Sequence, residues 1–327
     1  MTDLSIIVVS YKGWERLTKC LESLDAFTGN RFKNEVIVVD NHSEDETIYK
    51  LEKRFSDFRF IHNKINGGYA NGNNLGAKNA KGEFLLILNP DTVVTETEIE
   101  KLLNAARSNP DYFILSCRQR NESGKESNAT GAFPEFWNLT GFQRTILNLI
   151  KGEKKTDKSL KDEEVLFPDW ISGSVVMMRK DIFQKLKGFD EDFWMYYEDV
   201  DLCRRARNIG GKLAFFRNIT IEHNHGGSSR INLKTTSITK TEVQISRHLY
   251  ISRNMKGLER ALIQAFLVIN NLISGAIVAI IGIIFFFIPK VFIRTIIYIR
   301  LIDYYVGSIF RKSWISLRAV KYSLKKC

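Results

Sequence analysis

Three carboxylates stand close together in the run Tyr196-Tyr197-Glu198-Asp199-Val200-Asp201-Leu202. At a helix start such groups are stabilised by the helix dipole and by free N–H groups, and simple capping accounts for Asp201, which Arg204 and Arg205 follow at ion-pairing distance along one face. A carboxylate not used that way can take a proton from a hydroxyl group. Successive residues there point ~100° apart, so Asp199 and Asp201 cannot both face one cleft. Asp91 closes Asn89-Pro90-Asp91 just beyond the apolar run Phe84 to Leu88. A carboxylate at a strand exit is a hard oxygen ligand for Mg²⁺ or Mn²⁺, and Asn-Pro-Asp also reads as an ordinary turn. Asp40, at the end of another apolar run, can accept a hydrogen bond from the N3–H of uracil or thymine, or cap a turn.

These residues need elements to hold them. Leu4 to Ser10 is a short apolar, β-branched run of the kind that is covered on both faces. Leu17, Cys20, Leu21 and Leu24 then recur at helical spacing before the strand that ends at Asp40. Ser43 and Glu46 form a capping-box pattern before a helix carrying Ile48, Leu51 and Phe55, and Thr95 with Glu98 form a second. Strands near Phe58 to Ile61 and Phe84 to Leu88 flank a small-residue helix around Ala70 to Ala80. The alternation predicts an α/β fold with a doubly wound, mostly parallel sheet. Ligands of such sheets bind beyond the carboxyl ends of the strands, where Ser10, Asp40 and Asn89 to Asp91 fall. From Arg118 to Glu164 the rhythm is lost, and the polar stretch Lys151 to Glu164 reads as a mobile insertion. Strands return around Trp170 and Gly173, then a short helix from Asp181, a helix from Glu198 and a strand near Lys212 to Phe216.

Charge divides the 327 residues unequally: the formal net charge is +11, yet Arg230 to Cys327 holds 16 basic and 3 acidic residues. Subtracting these from the totals of 48 and 37 leaves 32 basic against 34 acidic residues in the first 229. A nearly neutral folded region excludes a nucleic-acid partner. Cys20, Cys117, Cys203 and Cys327 have neither CxxC pairing nor a disulfide framework's spacing, which fits a reducing compartment, and no signal peptide is expected. Ala261 to Pro289 is uncharged, with Leu272 to Ile288 a bilayer candidate. Basic residues on both flanks disfavour a single crossing, and Arg294, Arg300 and Asp303 make Val291 to Phe310 an interfacial helix. Residues 230–327 are therefore expected to attach residues 1–229 to anionic lipid on the cytoplasmic face of the inner or plasma membrane, by a re-entrant or in-plane segment.

Five separated motifs occur in order over about the first 230 residues: SIIVVSY from Ser5, VVDNHS from Val38, NGGYANGNNLG from Asn66, LNPDT from Leu88, and the stretch from Trp170 to Gly211 with HNHGGS after it. Together they resemble glycosyltransferase family 2, in its rhamnosyltransferase-like branch. The resemblance implies a GT-A fold, a nucleotide-sugar donor, a divalent metal and inversion at the anomeric carbon. It makes Asp199 the general base, with Glu198 the next candidate, and matches His223 to a histidine completing the metal or pyrophosphate site with Asp91. Many relatives carry DxD where this chain has Asn89-Pro90-Asp91, the form typical of that branch. Ser10, Tyr11, Asp40, Asn66, Gly67, Asn74 and Asp91 are the expected donor contacts, and Trp170, Gly173, Trp194 and Tyr197 the acceptor side. His225 reads as a surface residue. The expected reaction moves a sugar, with rhamnose the leading choice and a uridine-diphosphate hexose next, onto a glycan or lipid-linked saccharide in cell-surface polysaccharide synthesis. An inactive nucleotide-sugar-binding relative would have lost Asp199 or Asp91. A dehydrogenase would need GxGxxG after the first strand, where Ser10-Tyr11-Lys12-Gly13 stands.

Overall fold

A computed structural model describes residues 2–29, 31–136, 139, 164–224 and 232–323. His225 and nearly all of the polar stretch before Glu164 lie outside the described residues. The first half alternates as expected: β1 (Leu4–Ser10), α1 (Trp14–Asp25), β2 (Asn34–Asp40), α2 (Thr47–Arg54), β3 (Arg59–His62), α3 (Gly68–Asn79), β4 (Phe84–Leu88), β5 (Thr92–Val93) and α4 (Glu96–Ser108). Then come β6 (Tyr112–Arg120), β7 (Thr130–Gly131), β8 (Val165–Leu166), β9 (Trp170–Ile171), β10 (Val175–Arg179), α5 (Lys180–Lys185), α6 (Glu198–Asn208) and β11 (Lys212–His223).

The main sheet has the order β3-β2-β1-β4-β10-β6-β11-β5. β1, β2, β3 and β4 run parallel, β10 enters antiparallel between β4 and β6, and β11 is again parallel to β6. The sheet is thus mixed, with parallel pairs dominating its amino-terminal half. Adjacent side chains of β1 feed opposite layers: Ile6 and Val8 pack with Leu17, Leu21, Ile99 and Leu102, whereas Ile7 packs with Ala70, Ala77 and Leu202. Each such fully buried aliphatic side chain contributes roughly 1.5–3 kcal/mol. The small residues of α3 have a steric cause, because a Cβ on Gly76 would lie 2.5 Å from the Ile7 side chain.

Thr95 caps α4 by accepting from the Glu98 N–H, as its pattern predicts. The Ser43–Glu46 box does not form. Ser43 Oγ instead accepts from the Lys12 N–H, α2 begins only at Thr47, and Asp45 accepts from the Thr47 N–H.

Three long helices follow, α7 (Leu233–Asn254), α8 (Gly257–Ile284) and α9 (Pro289–Arg311), and then a short one, α10 (Val320–Ser323). Leu249, Tyr250 and Ile251 of α7 join Ile263 and Leu267 of α8, together with Phe193, Val200 and Ile315, in one core. His248 binds the Gln264 side chain through Nδ1 and the Tyr305 hydroxyl through Nε2 at 2.9 Å, so α7 is keyed to both following helices. Burial pushes the His248 imidazole down to about 4, which keeps it neutral. Beyond this core α8 and α9 form an antiparallel hairpin. α8 is 28 residues long and apolar enough to cross a membrane, with a mean hydropathy of 2.4 over its best window and 22% of that window buried. Leu262, Ile269, Ile273, Ile277 and Ile280 are exposed along it, and Phe285, Phe286 and Phe287 are exposed at the tip.

Candidate active site

A cavity of about 380 Å³ opens at the carboxyl ends of β1 and β4, lined by Tyr11, Asn41, Asn66, Gly68, Tyr69, Asn89, Asp91, Gly173, Trp194, Tyr196, Glu198, Asp199, His223 and neighbours. It lies where an open α/β sheet binds ligands. Of the residues singled out in the sequence, Tyr11, Asn66, Asp91, Gly173, Trp194, Glu198, Asp199 and His223 meet here.

Asp91 sits on the turn between β4 and β5, folded by Asn89, whose carbonyl accepts from both the N–H and the hydroxyl of Thr92. His223, the last residue of β11, brings Nε2 to 3.1 Å from Asp91 Oδ1. Its other nitrogen lies 2.7 Å from Gln119 Oε1, an acceptor, so Nδ1 carries the proton. Nε2 faces the Asp91 carboxylate oxygen with the Asn89 side-chain amide 3.5 Å away, which puts one imidazole nitrogen and one carboxylate oxygen side by side as an N/O donor set. The pair fits a divalent ion that draws its remaining ligands from phosphate and water. Among the described residues no group of three or more His, Cys, Asp or Glu is placed to hold a metal. Gln119, buried in β6, also accepts from Ser174 Oγ at 2.7 Å, tying β10 to this histidine.

Glu198 and Asp199 open α6. The Gly173 N–H donates to Asp199 Oδ2 at 2.9 Å and the Val200 N–H to Oδ1 at 2.8 Å. Burial nevertheless raises the Asp199 carboxyl above its ordinary value, which makes it a stronger base. Glu198 is raised further, by burial and then by the neighbouring Asp199 charge. Asp201 turns away and pairs with Arg205 Nε at 2.6 Å, the pairing expected for it. The turn leading into α6 is unusual: Tyr196 and Tyr197, neither of them glycine, both have φ of 69°. Gly68 packs beneath it with φ of 80°, and its missing Cβ would lie 1.7 Å from the Trp194 carbonyl oxygen.

Six expected contacts do not line the cavity. Asn74 is spent on the backbone of Phe189 and on Glu191, which braces the turn after α5. Tyr197 directs its hydroxyl to Arg247 and packs its ring on Tyr250, away from the cavity. Trp170 donates to the Ala132 carbonyl. Ser10 Oγ donates to the Lys12 carbonyl, and Gly67 lies against Asn71. Asp40 is buried at the end of β2, where it accepts from the Ser43 N–H at 3.2 Å, its turn-capping alternative. In exchange the fold supplies Asn41, which donates to Asn66 Oδ1 and the Gly68 carbonyl, and Thr235 and Thr239, one helical turn apart on α7. Asn41 was within reach of the sequence as the residue after Asp40, whereas Gln119, between Arg118 and Arg120 at the polar end of β6, carried no distinguishing signal.

The mixed sheet thus brings a carboxylate–histidine pair and a second acidic centre into one cleft. The chain belongs to glycosyl transferase family 2, whose sequence profile matches residues 5–186, and a profile for the N-terminal domain of galactosyltransferase matches residues 166–226. A low-salt glycan biosynthesis hexosyltransferase of Haloferax volcanii is 30% identical over 64% of this chain and 64% of its own length. The rhamnosyltransferase WbbL of Escherichia coli is 25% identical over 64% of this chain and 79% of its own. An N-acetylglucosaminyl-diphospho-decaprenol L-rhamnosyltransferase of Mycobacterium tuberculosis is 25% identical over 70% and 78%. These two place the chain on the rhamnosyltransferase-like branch. The crystal structure of GalNAc-T7 with UDP, GalNAc and Mn²⁺ shares the fold at a TM-score of 0.54 and 18% identity, over 77% of this chain and 50% of that one.

Proposed function

We propose that the protein is an inverting glycosyltransferase that moves rhamnose from a thymidine-diphosphate donor to a glycan or lipid-linked saccharide, in cell-surface polysaccharide synthesis at the cytoplasmic face of a membrane. The observation that carries this reading is the sharing of one cavity by the Asp91–His223 pair and by Asp199. Asp91 and His223 would hold a divalent ion, which when bound offsets charge on the departing diphosphate. Asp199 accepts the proton of the acceptor hydroxyl while that oxygen forms its bond to the anomeric carbon and the bond from that carbon to the diphosphate oxygen breaks. Both backbone donors to Asp199 fix its carboxylate in place before substrate arrives. Retention of Asp91 and Asp199 weighs against an inactive nucleotide-sugar-binding assembly partner. The names of the E. coli and M. tuberculosis relatives support rhamnose, and the second of them supports a lipid diphosphate-linked acceptor. The exposed apolar hairpin with Lys256, Arg260, Lys290, Arg294 and Lys312 around it supports attachment to an anionic bilayer.

A donor panel tests the reading: thymidine-diphosphate-rhamnose and uridine-diphosphate hexoses, each supplied with Mg²⁺ or Mn²⁺ and a membrane-lipid extract, with nucleoside-diphosphate release as the signal. Rhamnose-dependent release is expected. Release only from a uridine-diphosphate hexose would replace the sugar, and no release from any donor would overturn the proposal.

A further inference from the structure

The turn that delivers Glu198 and Asp199 to the cavity is held less by its own sequence than by α7. Tyr196 and Tyr197 occupy a left-handed backbone region that costs a residue with a Cβ free energy at each position, and such geometry persists only where surrounding contacts over-determine it. The segment around Gly68 holds Trp194, whose carbonyl accepts from the Tyr69 N–H and whose indole donates to the Asn66 carbonyl, and α7 holds Met195 and Tyr197. Ser246 Oγ donates to the Met195 carbonyl at 2.8 Å, Arg247 Nε donates to the Tyr197 hydroxyl at 3.1 Å, and the Tyr250 ring packs on that of Tyr197 with centroids 5.5 Å apart. Arg253, at the end of the same helix, pairs with Asp190 and Asp192 at the start of the loop. Tyr197 is also the cap of α6, since its carbonyl accepts the Asp201 N–H, so wherever Tyr197 goes the first turn of α6 follows.

We infer that Arg247 is a positioning residue for the transfer: by holding the Tyr197 phenol it keeps the Tyr196–Tyr197 turn left-handed and Asp199 against the Gly173 N–H. The inference rests on Asp199 being the base. Arg247 itself does not line the cavity. Its neighbour His248 carries the links to α8 and α9, so the same two residues of α7 join the catalytic turn to the apolar hairpin.

The test uses the full chain with Arg247→Met, Arg247→Lys, Tyr197→Phe and the Arg247→Met/Tyr197→Phe double variant. Thymidine-diphosphate-rhamnose with membrane-lipid extract supplies the turnover, calorimetry with thymidine diphosphate the donor-side affinity, and amide exchange the order of the turn. Arg247→Met and Tyr197→Phe are each expected to lower kcat about tenfold, the scale of one hydrogen bond. Nucleotide affinity should stay within about twofold, and the amides of residues 195–200 should exchange faster. The double variant should be no worse than either single one, because both remove the same bond. Arg247→Lys, which retains a donor, should recover part of the rate. Multiplying effects in the double variant, unchanged exchange at the turn, or a loss of kcat with nucleotide affinity falling in step would overturn the inference. Asp199→Asn, run alongside, separates the two layers: normal turnover there removes the base assignment, while the exchange and double-variant results still judge the brace.

Discussion

On the mechanism proposed above, replacing Asp199 by Asn removes the base and disturbs little else, and the structure sets the size of each effect. A carboxamide has one acceptor oxygen, whereas Asp199 accepts from two N–H groups, those of Gly173 and Val200. One of these bonds is therefore lost, at about 1–3 kcal/mol for a buried donor left unmatched. Working against that loss, burial already disfavours the Asp199 charge, so removing the charge returns part of the cost. The net effect on stability should be small beside the effect on rate, which for a missing general base is on the order of 10²–10⁴. Nucleotide affinity by calorimetry, turnover and melting temperature on the same preparation separate the terms. In the wild type, the raised carboxyl predicts that kcat begins to fall above the ordinary carboxylate range as pH is lowered, since the base is lost on protonation. Near-normal turnover in Asp199→Asn would refute the assignment, and a wild-type rate unchanged down to the ordinary carboxylate range would refute the burial argument.

Glu242, buried on α7 beside Ser316 and Arg318, is pushed up to about 7 from 4.5 by burial. Its stabilising contribution is complete below the unfolded value and lost as pH rises through about 7, so Glu242→Gln should raise the melting temperature more at pH 8 than at pH 5; an equal shift at both would contradict this. Gly68→Ala should cut turnover at least tenfold and lower stability by about 1–2 kcal/mol from the left-handed backbone alone, because the new methyl meets the Trp194 carbonyl; wild-type kinetics would show that the turn can retreat at no cost. Asp91→Ala should abolish metal-dependent nucleotide binding and turnover, with a smaller loss for His223→Ala, and full wild-type activity in chelator would end the metal role. Phe285, Phe286 and Phe287 are 43%, 67% and 66% exposed, and changing all three to Ser should move the full chain from the membrane pellet to the supernatant at high salt. Wild-type protein found wholly in the supernatant would refute membrane attachment.

The amino-terminal half was legible because its signals are local: β-branched runs became parallel strands, and the Thr95 cap follows from four consecutive residues. Asp91, His223 and Asp199 were legible through their neighbours in sequence, and the cavity brings them together. What escaped depended on distance along the chain. Nothing near Asn74 announces that Phe189 and Glu191 will claim its amide 115 and 117 residues later. Nothing near Tyr197 marks its tie to Arg247, and an aromatic beside an acidic pair looks equally suited to sugar or to core. Ser43 illustrates the opposite failure, a local pattern overridden when the Lys12 N–H offered a tertiary partner.

The dependence of the Tyr196–Tyr197 turn on α7 also sets a schedule. Chains fold from the amino terminus as they are made, and the βα units up to α4 close over short separations. A nascent chain that has released only as far as α6 already has Asp91 and Asp199, yet the helix that forces two tyrosines into their costly backbone shape is still unmade. Tyr250 and Phe193 in turn share their core with Ile263, Leu267 and Ile315, so that helix gains its own support only once the chain has been made past Ile315. The Tyr196–Tyr197 turn is thereby expected to settle only after the helical hairpin is in place, which makes the last-made helices a condition for the geometry at Asp199.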